Sequence, residues 1–263
     1  MNINMRVLKN IIRYPIKGFV GEFLKEVELN TASTIFGDRK FAFARFNTNL
    51  DQKSPIYMKK TNFLALVKDS KLALLDFSLD FKEDYLKLLF KKKKCFEGSL
   101  NDENDLNRLS DFMCKYLNLK LNEKPKLVVD KTQRNENLKH SFSDIPDKAI
   151  SLINFESIKD FEKKINKKID YLRFRGNFNF IGGSPWEEFK WIGKKLKIGT
   201  AELKVFKRTQ RCRATTVNPK NGKRDINVPL ELNKHYGHFD LGVYCKVIKH
   251  GIVKINDEVN IIK

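Results

Sequence analysis

Residues 201–216 read Ala201-Glu202-Leu203-Lys204-Val205-Phe206-Lys207-Arg208-Thr209-Gln210-Arg211-Cys212-Arg213-Ala214-Thr215-Thr216. An apolar strand, Ala201 to Arg208, runs into a cysteine set among arginines and hydroxyl or amide side chains. A structural cysteine normally keeps apolar company, whereas positive neighbours favour the thiolate, the nucleophilic and metal-ligating form. On a regular strand Arg211 and Arg213 point away from the face of Cys212, so a field at the sulfur has to come from Arg208 or from other elements. Composition alone leaves Cys212 open between a working thiol and a structural one.

Outward from that stretch, Ala149 to Ile153 reads as a strand, and Asn154, Ser157 and Asp160 supply a cap and a Ser-x-x-Asp pattern for a helix over Ile158 to Ile165. The start of that helix is a candidate anion site. Strands are expected at Leu172 to Phe180, Leu196 to Ile198, Ala201 to Arg208, Gly242 to Ile248 and Gly251 to Ile255. The last two are joined by a tight turn at His250-Gly251, and Pro229 to Tyr236 reads as a short helix. This half is strand-rich α+β, most simply a small barrel with helical insertions.

Toward the N-terminus, Val7 to Ile12, Phe23 to Leu29 and Phe41 to Phe46 read as strands separated by turn formers, with further strands at Phe63 to Val67 and Lys71 to Phe77. Phe81 to Lys93 and Leu106 to Leu119 space Leu, Phe and Met three and four apart, which predicts two helices. Lys131 to Asp147 is polar and aperiodic, a loop or linker, and the spacing places a domain boundary there: residues 1–145 and 146–263.

The length of 263 residues, with 41% hydrophobic and 32% charged side chains, excludes general disorder. No apolar run reaches the ~18 residues of a membrane helix, and the start lacks the apolar core of a secretory signal, so the expectation is a cytoplasmic protein without a membrane span. The formal charge of +20 invites a nucleic-acid reading, but 40 lysines against 12 arginines, spread along the whole chain, look like compositional bias, and no specific nucleic-acid partner is expected. Lys91 to Lys94 reads as a solvated face. Cys95, Cys114, Cys212 and Cys245 show no C-x-x-C pair, which argues against zinc and against a disulfide framework; Cys245 reads as a core residue. His235 and His238 read as hydrogen-bonded structural histidines. Arg39, Arg173 and Arg175 stand next to turns, where a guanidinium can meet a phosphate.

Taken in order, these segments resemble a known family. Tyr14-Pro15-Ile16-Lys17-Gly18 and Gly37-Asp38-Arg39 look like the N-terminal β-barrel motifs of MOSC proteins. Ser151 to Asn154, Leu172 to Asn177, Lys207 to Cys212, Val217-Asn218-Pro219, Arg224-Asp225 and Gly242-Val243-Tyr244 resemble the MOSC domain itself, named after the C-terminal part of molybdenum-cofactor sulfurase and shared by the mitochondrial amidoxime-reducing components. The resemblance implies a MOSC β-barrel with helical insertions packed on an N-terminal β-barrel-like subdomain. It implies a molybdenum–pterin cofactor with Cys212 as the metal ligand, a role that suits a soft thiolate. By motif position it implies Lys17, Arg39, Asn154, Ser157, Arg175, Asn177, Thr209, Gln210, Arg211 and Tyr244 around the cofactor; the motifs name no proton donor, and Tyr244 and Asp225 are the candidates. Gly18 replaces a serine common in the family, and Gly176 a proline.

The implied activity is reduction of N-hydroxylated small molecules such as amidoximes and hydroxylamines. Without an iron–sulfur domain or a membrane anchor in the sequence, electrons are expected from separate iron–sulfur, flavin or haem proteins. The alternative is a sulfur or cofactor carrier working through a Cys212 persulfide or thiolate. No pyridoxal phosphate is expected, since that group belongs to a desulfurase domain this chain lacks.

Overall fold

The computed structural model describes residues 5–50, 57–132 and 142–263. Strand β1 (Val7–Arg13) buries Leu8, Ile11 and Ile12, and β2 (Glu22–Leu24) pairs with it antiparallel. β3 (Glu26–Leu29) alternates exposed Glu26 and Glu28 with buried Val27 and Leu29. The expected strand Phe23 to Leu29 is thus broken at Lys25, because its two pieces serve different sheets. β4 (Phe41–Ala44) is buried on both faces.

The middle departs most from its sequence pattern. β5 (Leu75–Asp80), β6 (Tyr85–Phe90) and β7 (Lys93–Ser99) form a three-stranded antiparallel sheet where spacing predicts a helix over Phe81 to Lys93. Inward Leu86 and Leu88 flank outward Lys87, a period of two masked by the apolar Leu89 and Phe90. The turns rest on Asp84, Lys91 and Lys92 at φ of 46°, 51° and 64°, without the Gly or Asn-Gly that usually announces a left-handed hairpin turn. Lys91 to Lys94 are exposed. Of the strand expected at Phe63 to Val67 only a single bridge from Phe63 to Ala44 forms, and Ser70–Leu74 is a 3-10 turn preceding β5. Helix α1 (Glu103–Leu117) forms as expected: Asp102 accepts from Asp105 N, Leu109 and Met113 face the core, and Asn118 ends it in the left-handed conformation. β8 (Lys126–Val129) pairs with β4. In the loop expected over Lys131 to Asp147, residues 133–141 lie outside the described residues, and the rest carries no helix or strand.

The C-terminal stretch follows its pattern closely: β9 (Ile150–Asn154), α2 (Phe155–Ile165), β10 (Phe178–Ile181), β11 (Lys195–Ile198), β12 (Ala201–Gln210), α3 (Val228–Tyr236), β13 (Asp240–Lys249), β14 (Gly251–Lys254) and β15 (Val259–Ile262). Leu172 to Phe180 is only half a strand. Tyr171–Phe174 makes a 3-10 turn, and Arg175 at φ 54° turns the chain into β10. One curled eight-stranded sheet runs β15-β11-β12-β13-β9-β10-β1-β2, antiparallel except for β9 beside β10. Register shifts at three points along β12 and β13 bend it. Single-residue His250 joins β13 to β14, yet the two do not pair: β14 leaves the sheet for β3.

β1 and β3 therefore pair with strands of the C-terminal stretch, and the two parts of the chain share a core. Leu8, Ile11, Phe178, Phe180, Trp191 and Val243 are among its members, with Phe180 stacked on Trp191 at 5.4 Å; burying each such side chain is worth about 2–3 kcal/mol. A second core holds Phe19, Phe43, Leu86, Leu88, Leu109 and Met113, and a third lies between α2, α3 and the sheet. Among the described residues no helix is long and apolar enough to cross a membrane.

Candidate functional site

Past Gln210 the chain leaves β12. Arg211 N donates to Phe239 O at 2.8 Å, and its buried guanidinium donates through Nε and Nη2 to Leu241 O and through Nη1 to Phe174 O. With its predecessor pinned, Cys212 opens a 3-10 turn (Arg213–Thr216), its carbonyl accepting from Thr215 N at 3.0 Å and Thr215 Oγ1 at 2.9 Å. Its sulfur is half-buried, and the cation that reaches it is Lys60, with Nζ 3.1 Å from Sγ. Burial works to lower the Lys60 pKa, but Asp144 and the Cys212 sulfur outweigh it and hold the ammonium above its ordinary value.

This sulfur faces a cavity of about 500 Å³ whose lining comes from both parts of the chain. Seven cationic side chains (Arg39, Lys60, Arg173, Arg175, Lys207, Arg208, Arg211) line it against two carboxylates, Asp38 and Asp144. Preorganised positive groups of this density attract anions. Arg39 and Arg175 both lie over the Tyr14 ring, at 4.9 Å and 4.3 Å from its centroid. Burial and the neighbouring Arg39 push the Arg175 guanidinium down to about 10, while burial pushes the Tyr14 phenol up to about 12. Asp144 accepts from Lys17 Nζ at 3.0 Å, and Lys17 with Lys60 and Arg39 holds its carboxyl well below the usual carboxylate range. Burial lowers the Lys17 ammonium, which also donates to Phe142 O at 2.7 Å. Thr209 Oγ1, on the cavity wall, is buried with no hydrogen-bond partner among the described residues.

Of the residues expected around the cofactor, Arg39, Arg175, Asn177, Thr209, Gln210, Arg211, Cys212 and Tyr244 line this cavity, and Lys17 lines a small adjoining one with Arg39, Lys60, Asp144 and Arg175. Asn177 lines it with its amide already committed: Oδ1 accepts from Ser151 N and Oγ, and Nδ2 donates to Ile12 O. Burial raises the Tyr244 phenol above its ordinary pKa.

Asn154 and Ser157 do not reach the cavity. Asn154 caps α2 by accepting from Glu156 N at 2.9 Å, and both side chains donate to Glu188, at 3.3 Å and 2.8 Å. The anion site expected at the start of α2 is thus filled by the protein's own fully buried Glu188, whose carboxyl burial pushes up to about 7. Asp225 lies on a second cavity and accepts from Arg173 Nη2 at 2.9 Å and Asn218 Nδ2 at 2.6 Å. Against burial, these bonds hold its carboxyl below the ordinary value, so it is a poor proton donor. Cys245 is buried in the first core. His235 faces Glu231 on α3, and His238 Nδ1 accepts from Asp240 N at 3.1 Å.

Lys60 and Asp144 are the site residues that sequence reasoning missed. Lys60 sits in Lys59-Lys60-Thr61-Asn62 and Asp144 in a polar stretch before Pro146, neither in a motif. Only the fold brings them to Cys212.

Residues 137–260, a little under half of the chain, match the MOSC domain family. Over 122 residues the chain is 32% identical to mitochondrial amidoxime reducing component 2 of Bos taurus, covering 42% of this chain and 36% of that protein. Over 120 residues it is 29% identical to mitochondrial amidoxime-reducing component 1 of Homo sapiens, covering 41% of this chain and 35% of that one. The match thus spans about a third of the length of these relatives. Among solved structures, the YUAD protein from Bacillus subtilis aligns over 97% of this chain and 94% of its own at 12% identity and a TM-score of 0.41. YiiM from Geobacillus stearothermophilus aligns over 43% and 54% at 19% identity and a TM-score of 0.35.

Proposed function

We propose that this protein binds a molybdenum–pterin cofactor and reduces N-hydroxylated compounds, amidoximes and hydroxylamines among them, in the cytoplasm, with electrons from separate iron–sulfur, flavin or haem proteins. The observation that carries the reading is the place of Cys212: a half-buried sulfur on the wall of a cavity with seven cationic side chains and two carboxylates. The donor set fits the group. A soft metal accepts a thiolate, and a phosphate and a polar pterin need cations and hydrogen-bonding groups, which the arginines and the unpartnered Thr209 hydroxyl supply. Similarity to proteins named amidoxime-reducing components supports the substrate class.

In this reading Cys212 ligates the metal. Arg39, Arg175 and Lys17 hold the phosphate, and Thr209, Gln210 and Arg211 shape the wall against the pterin. When bound, the group supplies a two-electron redox couple. The chain's own share is to orient it, to screen its negative charge and to keep a proton at Tyr244 Oη, where burial retains it.

The test is the molybdenum and phosphorus content of wild type and Cys212→Ala purified from a cofactor-producing host. Stoichiometric molybdenum in the wild type, lost in Cys212→Ala but kept in Cys245→Ala, is the expected result. A well-folded wild type without molybdenum under cofactor supply overturns it. It would favour the second reading, a carrier using a Cys212 persulfide, which the accessibility of the sulfur supports and intact-mass analysis would detect.

A further inference from the structure

Cys212 lies between two cavities. The second, of about 670 Å³, shares Gln210, Arg211 and Cys212 with the first but differs in chemistry. Its floor is apolar: Ile226, Pro229 and Phe239, the last 40% exposed. Its polar groups are mostly committed. Arg224 donates to the carbonyls of Leu66, Val67 and Arg213 and to Thr216 Oγ1, Asp225 is held by Arg173 and Asn218, and Arg211 is spent on Leu241 O and Phe174 O. Among the charged groups Arg213 is the exception: it is exposed, and its guanidinium has no hydrogen bond or ion pair among the described residues. A cavity of this size, apolar with one uncommitted charged group, has the make-up of a small-molecule site.

We propose that this second cavity is the substrate site and that it takes molecules with a planar apolar body and an acidic substituent. The body rests on Phe239 and Pro229, the acid group meets Arg213, and the opposite end is directed at Cys212. The inference rests on the reading of Cys212 as the metal ligand, which puts the reacting centre on the wall common to both cavities.

The probes are benzamidoxime and its 4-carboxy and 4-trimethylammonio derivatives, titrated calorimetrically into the protein as purified with its cofactor. The carboxylated probe is expected to bind about tenfold more tightly than the cationic one, as one charge-assisted pair allows. Arg213→Ala and Arg213→Gln are expected to erase that preference, and Phe239→Ala to weaken all three probes by similar factors. Charge-blind binding by the wild type overturns the proposal. So does a preference that survives both Arg213 substitutions, or one lost in Arg39→Met while Arg213→Ala keeps it, since the anion then sits in the first cavity. Because the readout is heat of binding, the two readings fail separately. A charge preference traced to Arg213 in a protein without reductase turnover sinks the activity alone, whereas turnover with charge-blind binding sinks only the assignment of this cavity.

Discussion

On the cavity wall built from residues 175–211, guanidinium groups are held by neutral oxygens, Arg175 by Phe19 O and Arg211 by Leu241 O and Phe174 O, while Arg173 beside them combines the carbonyls of Thr215 and Thr216 with the Asp225 carboxylate. On the wall that includes Arg39 and Lys60, backed by Lys17 in the adjoining cavity, cations are held by anions or by sulfur: Lys17 by Asp144, Arg39 by Asp38, Lys60 by Cys212. A carbonyl fixes a cation in place without cancelling its charge, whereas a carboxylate does both. The C-terminal wall therefore supplies most of the net attraction for an anionic group, and the N-terminal wall supplies a charge balance that one proton can alter.

The largest expected effect tests the rigid wall. Arg211→Leu leaves the oxygens of Leu241 and Phe174 without their donor and is expected to cost about 3 kcal/mol in urea unfolding. A loss under 1 kcal/mol would mean the wall does not depend on this anchor. The C-terminal part has its own titrating buttress, Glu188. Its pKa in the fold, about 7, lies above the ordinary 4.5, so its contribution to stability is complete below about pH 4.5 and is lost as pH rises through 7. Glu188→Gln is expected to equal wild type at pH 4.5 and to exceed it by about 2 kcal/mol at pH 8, read from paired melts.

The opposite sign belongs to the N-terminal wall. Asp144 is depressed, so its contribution is present above the ordinary carboxylate pKa of 3.8 and is lost as pH falls toward its depressed value. Asp144→Asn, which strands the buried Lys17 ammonium, is expected to cost about 1 kcal/mol at pH 7 and to flatten the acid limb of the stability curve. Smallest in stability is Lys60→Gln, expected within about 0.5 kcal/mol of wild type. It is expected to slow alkylation of Cys212 by iodoacetamide about threefold at neutral pH, since it removes the ammonium whose Nζ lies 3.1 Å from Sγ. An unchanged rate would show that the contact does not govern the thiol.

The same division marks what the sequence made legible. Around Cys212 the elements declare themselves: Asn154 caps α2, Pro229 opens α3 near its start, and β12 and β13 alternate inward and outward residues. Lys91 and Lys92 hide a hairpin because lysine seldom occupies a left-handed turn, and Leu88-Leu89-Phe90 imitates a helical stripe. At the site, the motif residues Arg39, Arg175, Arg211 and Cys212 do come together. Asn154 and Ser157 do not, because the carboxyl that serves them, Glu188, lies more than 30 residues away in sequence and no local pattern pairs them. Lys60 was invisible for the same reason: its partner is 152 positions distant.

The pairing of β1 with β10, reinforced by the bidentate contact of Arg6 with Glu187 across 181 positions, carries a consequence for biosynthesis. As the polypeptide grows on the ribosome, at about 5–20 residues per second, the segment Val7–Arg13 gains β2 quickly but waits at least several seconds for β10. During that interval the edge of β1 that will meet β10 is unclaimed, the kind of surface that chaperones mask. High contact order of this sort slows maturation, and the cavity, whose lining runs from Thr34 to Tyr244, is not complete until β13 has been made.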